Sequence, residues 1–137
     1  MAHAILIDEC NKRSLDIDVY SAGVLDFSDQ PPLDETAECC LYYKTPPPKP
    51  TPTWVGQLPL DLIDRFLVME HNHADALKHQ FGIPSDRISL LGSFDPKQRG
   101  TEIPDPFFSF SQEIYRRSYC LMRDCIIGYL DTEDELK

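Results

Sequence analysis

Two hydrophobic periods alternate along the chain. Residues 2–10 read as a short helix, and Leu15-Asp16-Ile17-Asp18-Val19-Tyr20 alternates apolar with polar, the period of a half-buried strand. Ser21-Ala22-Gly23 ends that strand with small residues. Leu33 to Tyr43 reads as a helix entered after Pro31-Pro32, with Asp34 and Glu35 near its positive end. Residues 45–53 hold five of the 12 prolines and must form a loop. Leu60 to Ile63 reads as a short helix opening after Pro59. Phe66-Leu67-Val68-Met69 is a continuous apolar run bounded by charge, which suits a strand buried on both faces. A polar helix follows over 71–81, with Ala74, Leu77 and Phe81 on one side. Pro84-Ser85-Asp86 turns the chain into a further strand over 87–91. Residues 93–108 form a long loop, and Ser111 to Leu130 is helical. Its apolar face is Ile114, Ser118, Leu121, Met122, Cys125, Ile126 and Tyr129. Asp131 to Lys137 reads as a charged, frayed tail.

Strand, helix, strand, helix, strand, loop, helix is the alternation of an α/β domain built on a parallel sheet. Right-handed crossovers place helices on both faces, giving three layers. A length of 137 residues suits a single domain over 1–137, with a proline-rich loop at 45–53 and the charged tail at 131–137. The formal charge of −10 argues against nucleic-acid binding, because phosphates repel an acidic surface. No apolar run approaches the ~18 residues of a membrane span. The start lacks a basic n-region, and Asp8-Glu9 cut its apolar stretch short, so it is no secretory signal. Cys10, Cys39, Cys40, Cys120 and Cys125 are odd in number and fit no zinc spacing, which points to free thiols in a reducing, cytoplasmic setting. His71 and His73 stand two apart and cannot share a helix face; with His79 they read as a polar helix surface, not a metal site. No cofactor is implied. Thr45-Pro46-Pro47-Pro48-Lys49-Pro50 contains a PxxP spacing that could present Pro47–Pro50 to an SH3-like partner, although a stiff loop is the preferred reading. Trp54 reads as a packing residue.

In parallel α/β sheets, ligands bind at the carboxyl ends of the strands. Ser21-Ala22-Gly23, Met69-Glu70 and Leu91-Gly92-Ser93 fall at such ends, and Ile103-Pro104-Asp105-Pro106-Phe107-Phe108 can reach the same edge. Asp105 stands between two prolines and before two aromatics. Rigid flanks fix its direction, and an apolar neighbourhood raises a carboxyl toward the range of a general acid. From spacing alone, Asp-Pro as a plain turn start is the favoured reading.

These segments together resemble the low-molecular-weight protein tyrosine phosphatase family. Asp16 to Gly23 resembles its second strand, Phe66 to Glu70 its third, and Ile88 to Pro96 its fourth with the Asp-Pro that follows. Ile103 to Phe108 resembles its acid loop, and Ile114-Tyr115 with Cys120 fits its last helix. The resemblance implies hydrolysis of phosphotyrosine or a similar phosphomonoester through a cysteinyl phosphate. It makes Asp105 the general acid and then base, and Phe107 and Phe108 the cleft wall. In that family a Cys-x5-Arg-Ser-Pro loop cradles the phosphate dianion with backbone N–H groups and supplies the thiolate.

That loop and the strand before it have no counterpart here, and Met1 to Leu6 resembles the helix that leaves the loop. The absent strand belongs centrally, between 15–20 and 66–69. Cys10-Asn11-Lys12-Arg13-Ser14 is a decoy, since two intervening residues cannot curl a ring of amides around a phosphate. The chain is therefore expected to be inactive as given, with no nucleophile. Two main readings stay open: a phosphatase read from an internal methionine, or a non-catalytic binding or regulatory relative. An arsenate-reductase-like activity is weaker still, since it needs the same missing cysteine.

Overall fold

In a computed structural model, the described residues are 1–24, 34–46, 53–104 and 111–135. Helix α1 spans Ala2–Lys12, α2 Asp34–Tyr42, α3 His71–Phe81 and α4 Gln112–Glu135; strands β1 and β2 span Phe66–Val68 and Ile88–Leu90. The two strands pair in parallel, Phe66 opposite Ile88, Leu67 opposite Ser89 and Val68 opposite Leu90. Short 3-10 turns at Val55–Gln57, Leu60–Leu62, Ser85–Arg87 and Leu91–Phe94 join the elements.

The layers follow from the period of β1. Phe66 and Val68 enter a cluster with Val55, Leu77 and Ile83, which seats α3. Leu67 and Met69 turn the other way, onto a cluster of Ile5, Cys10, Cys39, Leu91, Ile103, Tyr115, Tyr119, Met122, Cys125, Ile126 and Leu130. That second cluster is supplied by α1, α2 and α4, so helices cover both faces, as the apolar run at 66–69 implies. Trp54 packs, as expected, with its ring edge-on to Phe81 at 6.0 Å. No helix among the described residues is long and apolar enough to cross a membrane.

Three sequence expectations are corrected. Residues 15–20 form no ladder among the described residues. Alternation records a half-buried extended segment, but a strand also needs a neighbour for its backbone, and among the described residues none pairs with it. Ile17 and Tyr20 are accordingly 41% and 50% exposed. A parallel bridge forms further on, where the Gly23 N–H donates to Thr53 O (2.8 Å) and the Val55 N–H to Gly23 O (3.0 Å). The face of α4 is also rotated from the expected one. Tyr115, Ser118, Tyr119, Met122, Cys125, Ile126 and Leu130 are buried, while Ile114 is exposed. Tyrosines supply much of the buried volume there, and Ile114 is left at the rim. Finally, the charged tail stays helical to Glu135. The Arg13 guanidinium meets Asp131 at 2.8 Å, tying the end of α1 to α4, and the Thr132 hydroxyl donates to Gly128 O at 3.0 Å.

Two glycines permit the closest backbone approaches. A Cβ on Gly92 would lie 1.5 Å from the Thr101 carbonyl oxygen, and one on Gly128 would lie 2.2 Å from that of Phe94. The turn Leu91–Phe94 is thus pressed between the following loop and α4. Gly92→Ala is expected to lower stability by about 1–3 kcal/mol through overpacking, read as a fall in the urea midpoint at unchanged slope.

Candidate functional site at the carboxyl edge of the sheet

The carboxyl ends of β1 and β2 are drawn together by backbone bonds. After β1, Glu70 caps α3: its N–H donates to His73 Nδ1 at 3.3 Å, and the two side chains lie 3.5 Å apart. The Ile103 N–H donates to Met69 O at 2.9 Å, and the Gly100 N–H to Gly92 O at 3.0 Å. Ile103 is fully buried. The segment 95–104 is therefore stapled across both strand ends. Asp95 is buried at the start of this segment, where its Oδ1 accepts the Lys97 N–H at 2.9 Å and fixes the Asp-Pro turn. Met69-Glu70 and Leu91-Gly92-Ser93 sit at strand ends as expected. Ser21-Ala22-Gly23 follows the unladdered segment and is held by the bridge to Trp54.

Asp105, Phe107 and Phe108 lie outside the described residues, as do Pro47–Pro50 of the PxxP segment. What sequence reasoning missed is the pair of backbone staples at Ile103 and Gly100. The signal available for them was Gly92 itself, a glycine directly after a buried strand, which often marks close backbone approach.

The thiols occupy interior positions. All five cysteines are free; Cys10, Cys39, Cys40 and Cys125 are buried and Cys120 is half-buried. Burial pushes the Cys39 thiol up to about 11, with neighbouring Cys40 adding to the effect. Burial, then Asp95 and Asp124, push Cys125 up to about 11. Burial also raises Cys10 and Cys40; for Cys10 the nearby Arg13 opposes the shift without reversing it. A nucleophilic cysteine needs the opposite environment, with donors and positive charge that favour the thiolate. Around Cys10 the balance runs the other way, toward the protonated thiol. The nearby Arg13 is committed to Asp131.

The half-buried Cys120 donates from Sγ to the Tyr43 hydroxyl at 3.3 Å. That bond, followed by burial, raises the Tyr43 phenol to about 12. Tyr43 stacks on Tyr119 with centroids 4.2 Å apart, and the Tyr119 hydroxyl bonds Thr45 Oγ1. Arg116 lies 3.7 Å over the Tyr42 ring. This α2–α4 seam borders an open hollow of about 400 Å³ lined by Asp95, Lys97, Arg116 and Cys120 among others. A wider hollow of about 710 Å³ lies at the opposite, amino edge of the sheet, between Leu60, Phe81, Ile83 and Arg87. There the Arg87 guanidinium donates to the carbonyls of Leu60 (2.7 Å) and Ile63, which occupies it structurally.

The family model described as low molecular weight phosphotyrosine protein phosphatase matches residues 1–136. The chain belongs to that family. Solved structures share its fold. A low molecular weight phosphotyrosine phosphatase from Vibrio cholerae O395 superposes with a TM-score of 0.85 at 24% identity, over 98% of this chain and 88% of that one. The YwlE arginine phosphatase, a Bacillus subtilis protein, gives 0.84 at 20% identity, over 96% and 84%. A protein tyrosine phosphatase from Entamoeba histolytica gives 0.84 at 16% identity, over 98% and 87%. At these identities the likeness is one of fold. No curated protein matches the sequence.

Raised thiol pKa values carry a pH signature. Cys39 and Cys125 hold their protons more tightly when folded (about 11) than at their ordinary value of 9.0. Their contribution to stability is complete below pH 9.0 and is lost as pH rises toward about 11. The urea midpoint should therefore fall over that window. The fall should be shallower in the Cys39→Ala, Cys125→Ala double variant, measured against its own midpoint at neutral pH.

Proposed function

We propose that this chain carries the scaffold and acid loop of a phosphotyrosine phosphatase but does not by itself turn over phosphomonoesters. The observation that carries this reading is the state of its cysteines. None of the five is followed by arginine six positions later, and four are buried as thiols whose pKa values are raised. The proposed acid is Asp105, with Phe107 and Phe108 as the wall of the cleft. Support comes from the staple at Ile103, two positions before Asp105 in the sequence, whose N–H bonds the Met69 carbonyl just past β1. The ligand class is a phosphotyrosine side chain or a small phosphomonoester, bound without hydrolysis by this chain alone. The sharing of β1 between both apolar clusters supports one domain over 1–137, and the free thiols support a reducing, cytoplasmic setting.

The test is p-nitrophenyl phosphate hydrolysis by the purified 137-residue chain, wild type beside Asp105→Asn. Both should be indistinguishable from the buffer rate. Turnover in the wild type that drops by about 10²–10⁴ in the variant would overturn the reading, because it would require a nucleophile and a working acid within these residues.

A further inference from the structure

Helix α4 sets two arginines, Arg116 and Arg123, on the aromatic seam that it forms with α2. The Arg116 guanidinium lies 3.7 Å over the Tyr42 ring, and that of Arg123 lies 5.7 Å from the ring centres of both Tyr43 and Tyr119. Tyr42 meets Tyr43 edge-on at 4.9 Å, and Tyr43 stacks on Tyr119, so the three rings form one row that carries both cations. An aromatic face holds a guanidinium in place without neutralising it. Among the described residues no carboxylate comes within ion-pair distance of either arginine, and the buried Arg116 Nε has no hydrogen-bond acceptor. Of the nearby acids, Glu113 is spent on Arg117 at 2.6 Å, Asp124 lines the hollow shared with Lys97, and Glu38, exposed on α2, pairs with neither arginine. In a chain whose 23 Asp and Glu outnumber its 13 Lys and Arg, this seam locally reverses the overall charge. It is also apolar at its rim, where Leu41 and Tyr42 are 61% and 58% exposed.

We propose that the α2–α4 seam docks an acidic amphipathic helix of a partner protein, with carboxylates two turns apart on Arg116 and Arg123 and an apolar side chain between them on the tyrosine row. The spacing selects the guest. Seven residues of α4 separate the two cations by about 10.5 Å along the helix axis, and a second helix repeats that distance on one of its own faces at i and i+7. An extended guest covers about 10 Å in three residues, but its side chains at i and i+3 then point to opposite faces. The chemistry is complementary as well. Guanidinium groups take carboxylates through charge-assisted hydrogen bonds, and Arg116 and Arg123 are already held on their rings before a guest arrives. Tyrosine and arginine are also the side chains that concentrate binding energy at protein interfaces. The net charge of −10 opposes an acidic guest at long range, but salt screens that repulsion beyond ~8 Å, so the local cations decide where such a guest can sit. The inference is independent of whether the chain hydrolyses phosphate.

The experiment uses the full 137-residue chain and a fluorescein-labelled, alanine- and glutamine-rich helical peptide with glutamates at i and i+7 and leucines at i+3 and i+4. Binding is read by fluorescence anisotropy and located by NMR chemical shifts. The peptide is expected to bind, with shifts centred on Tyr42, Arg116 and Arg123. Affinity should fall about tenfold when both glutamates become glutamine, the combined worth of two exposed ion pairs. It should fall as far when the glutamates stand at i and i+5, on opposite faces of the peptide, and when the chain carries Arg116→Gln with Arg123→Gln. Absence of binding would overturn the proposal, as would equal affinity of the glutamine or i,i+5 peptide for the wild-type chain. Both peptide comparisons use the unaltered chain and so stand even if the arginine variant fails to fold. Shifts centred away from the seam would overturn it too. A chain that dimerises through this seam would assign the surface to a second copy and refute the proposal as well.

Discussion

The alternation of side chains along three residues of β1 organises the molecule. Phe66 and Val68 point to one side and Leu67 to the other, so a single short strand serves as the wall between two apolar clusters. Helix α3 is seated by the first cluster, and α1, α2 and α4 by the second. The loop that follows β2 is anchored at Ile103, whose side chain belongs to the second cluster and whose N–H bonds the carbonyl just past β1. Position and chemistry are therefore linked through the same strand. The edge that Ile103 reaches is placed by the packing that holds the helices apart.

Helices and the buried strand were legible because their signals are local. The run at 66–69, the 3.6 period of 71–81 and the long pattern from 111 onward each specify an element without knowledge of its neighbours. Residues 15–20 show where that logic stops. Their alternation is strand-like, but pairing is a property of two segments, and the sequence of one says nothing about whether the other is present. The phase of α4 was missed for a different reason. Tyr115 and Tyr119 are amphipathic and can face either way, so only their tertiary partners, Tyr43 and Thr45 for Tyr119, decide. The same holds at α4's end, where Asp131 and Thr132 look like tail residues until Arg13 and the Gly128 carbonyl are brought to them.

The candidate site was legible as an edge more than as a set of groups. Strand ends, the glycine after β2 and the Asp-Pro turn all point to the carboxyl side of the sheet, and the backbone staples at Met69 and Gly92 assemble that side. Cysteine spacing points to no nucleophile, and the burial of four of the five thiols is in keeping with that expectation. Each of the four buried thiols is held in the protonated form by its surroundings, the reverse of what phosphoryl transfer to sulfur demands. These cysteines behave as small hydrophobes that fill the interior.

The two clusters differ in their aromatic content. The single tryptophan, Trp54, touches Phe81 on the α3 side, whereas Tyr43, Tyr115, Tyr119 and Tyr129 all belong to the side built from α1, α2 and α4. Indole emission and the near-ultraviolet tyrosine bands consequently look at opposite faces of the same sheet. An unfolding transition followed by both would show directly whether the halves separated by β1 melt as one cooperative body or come apart in sequence.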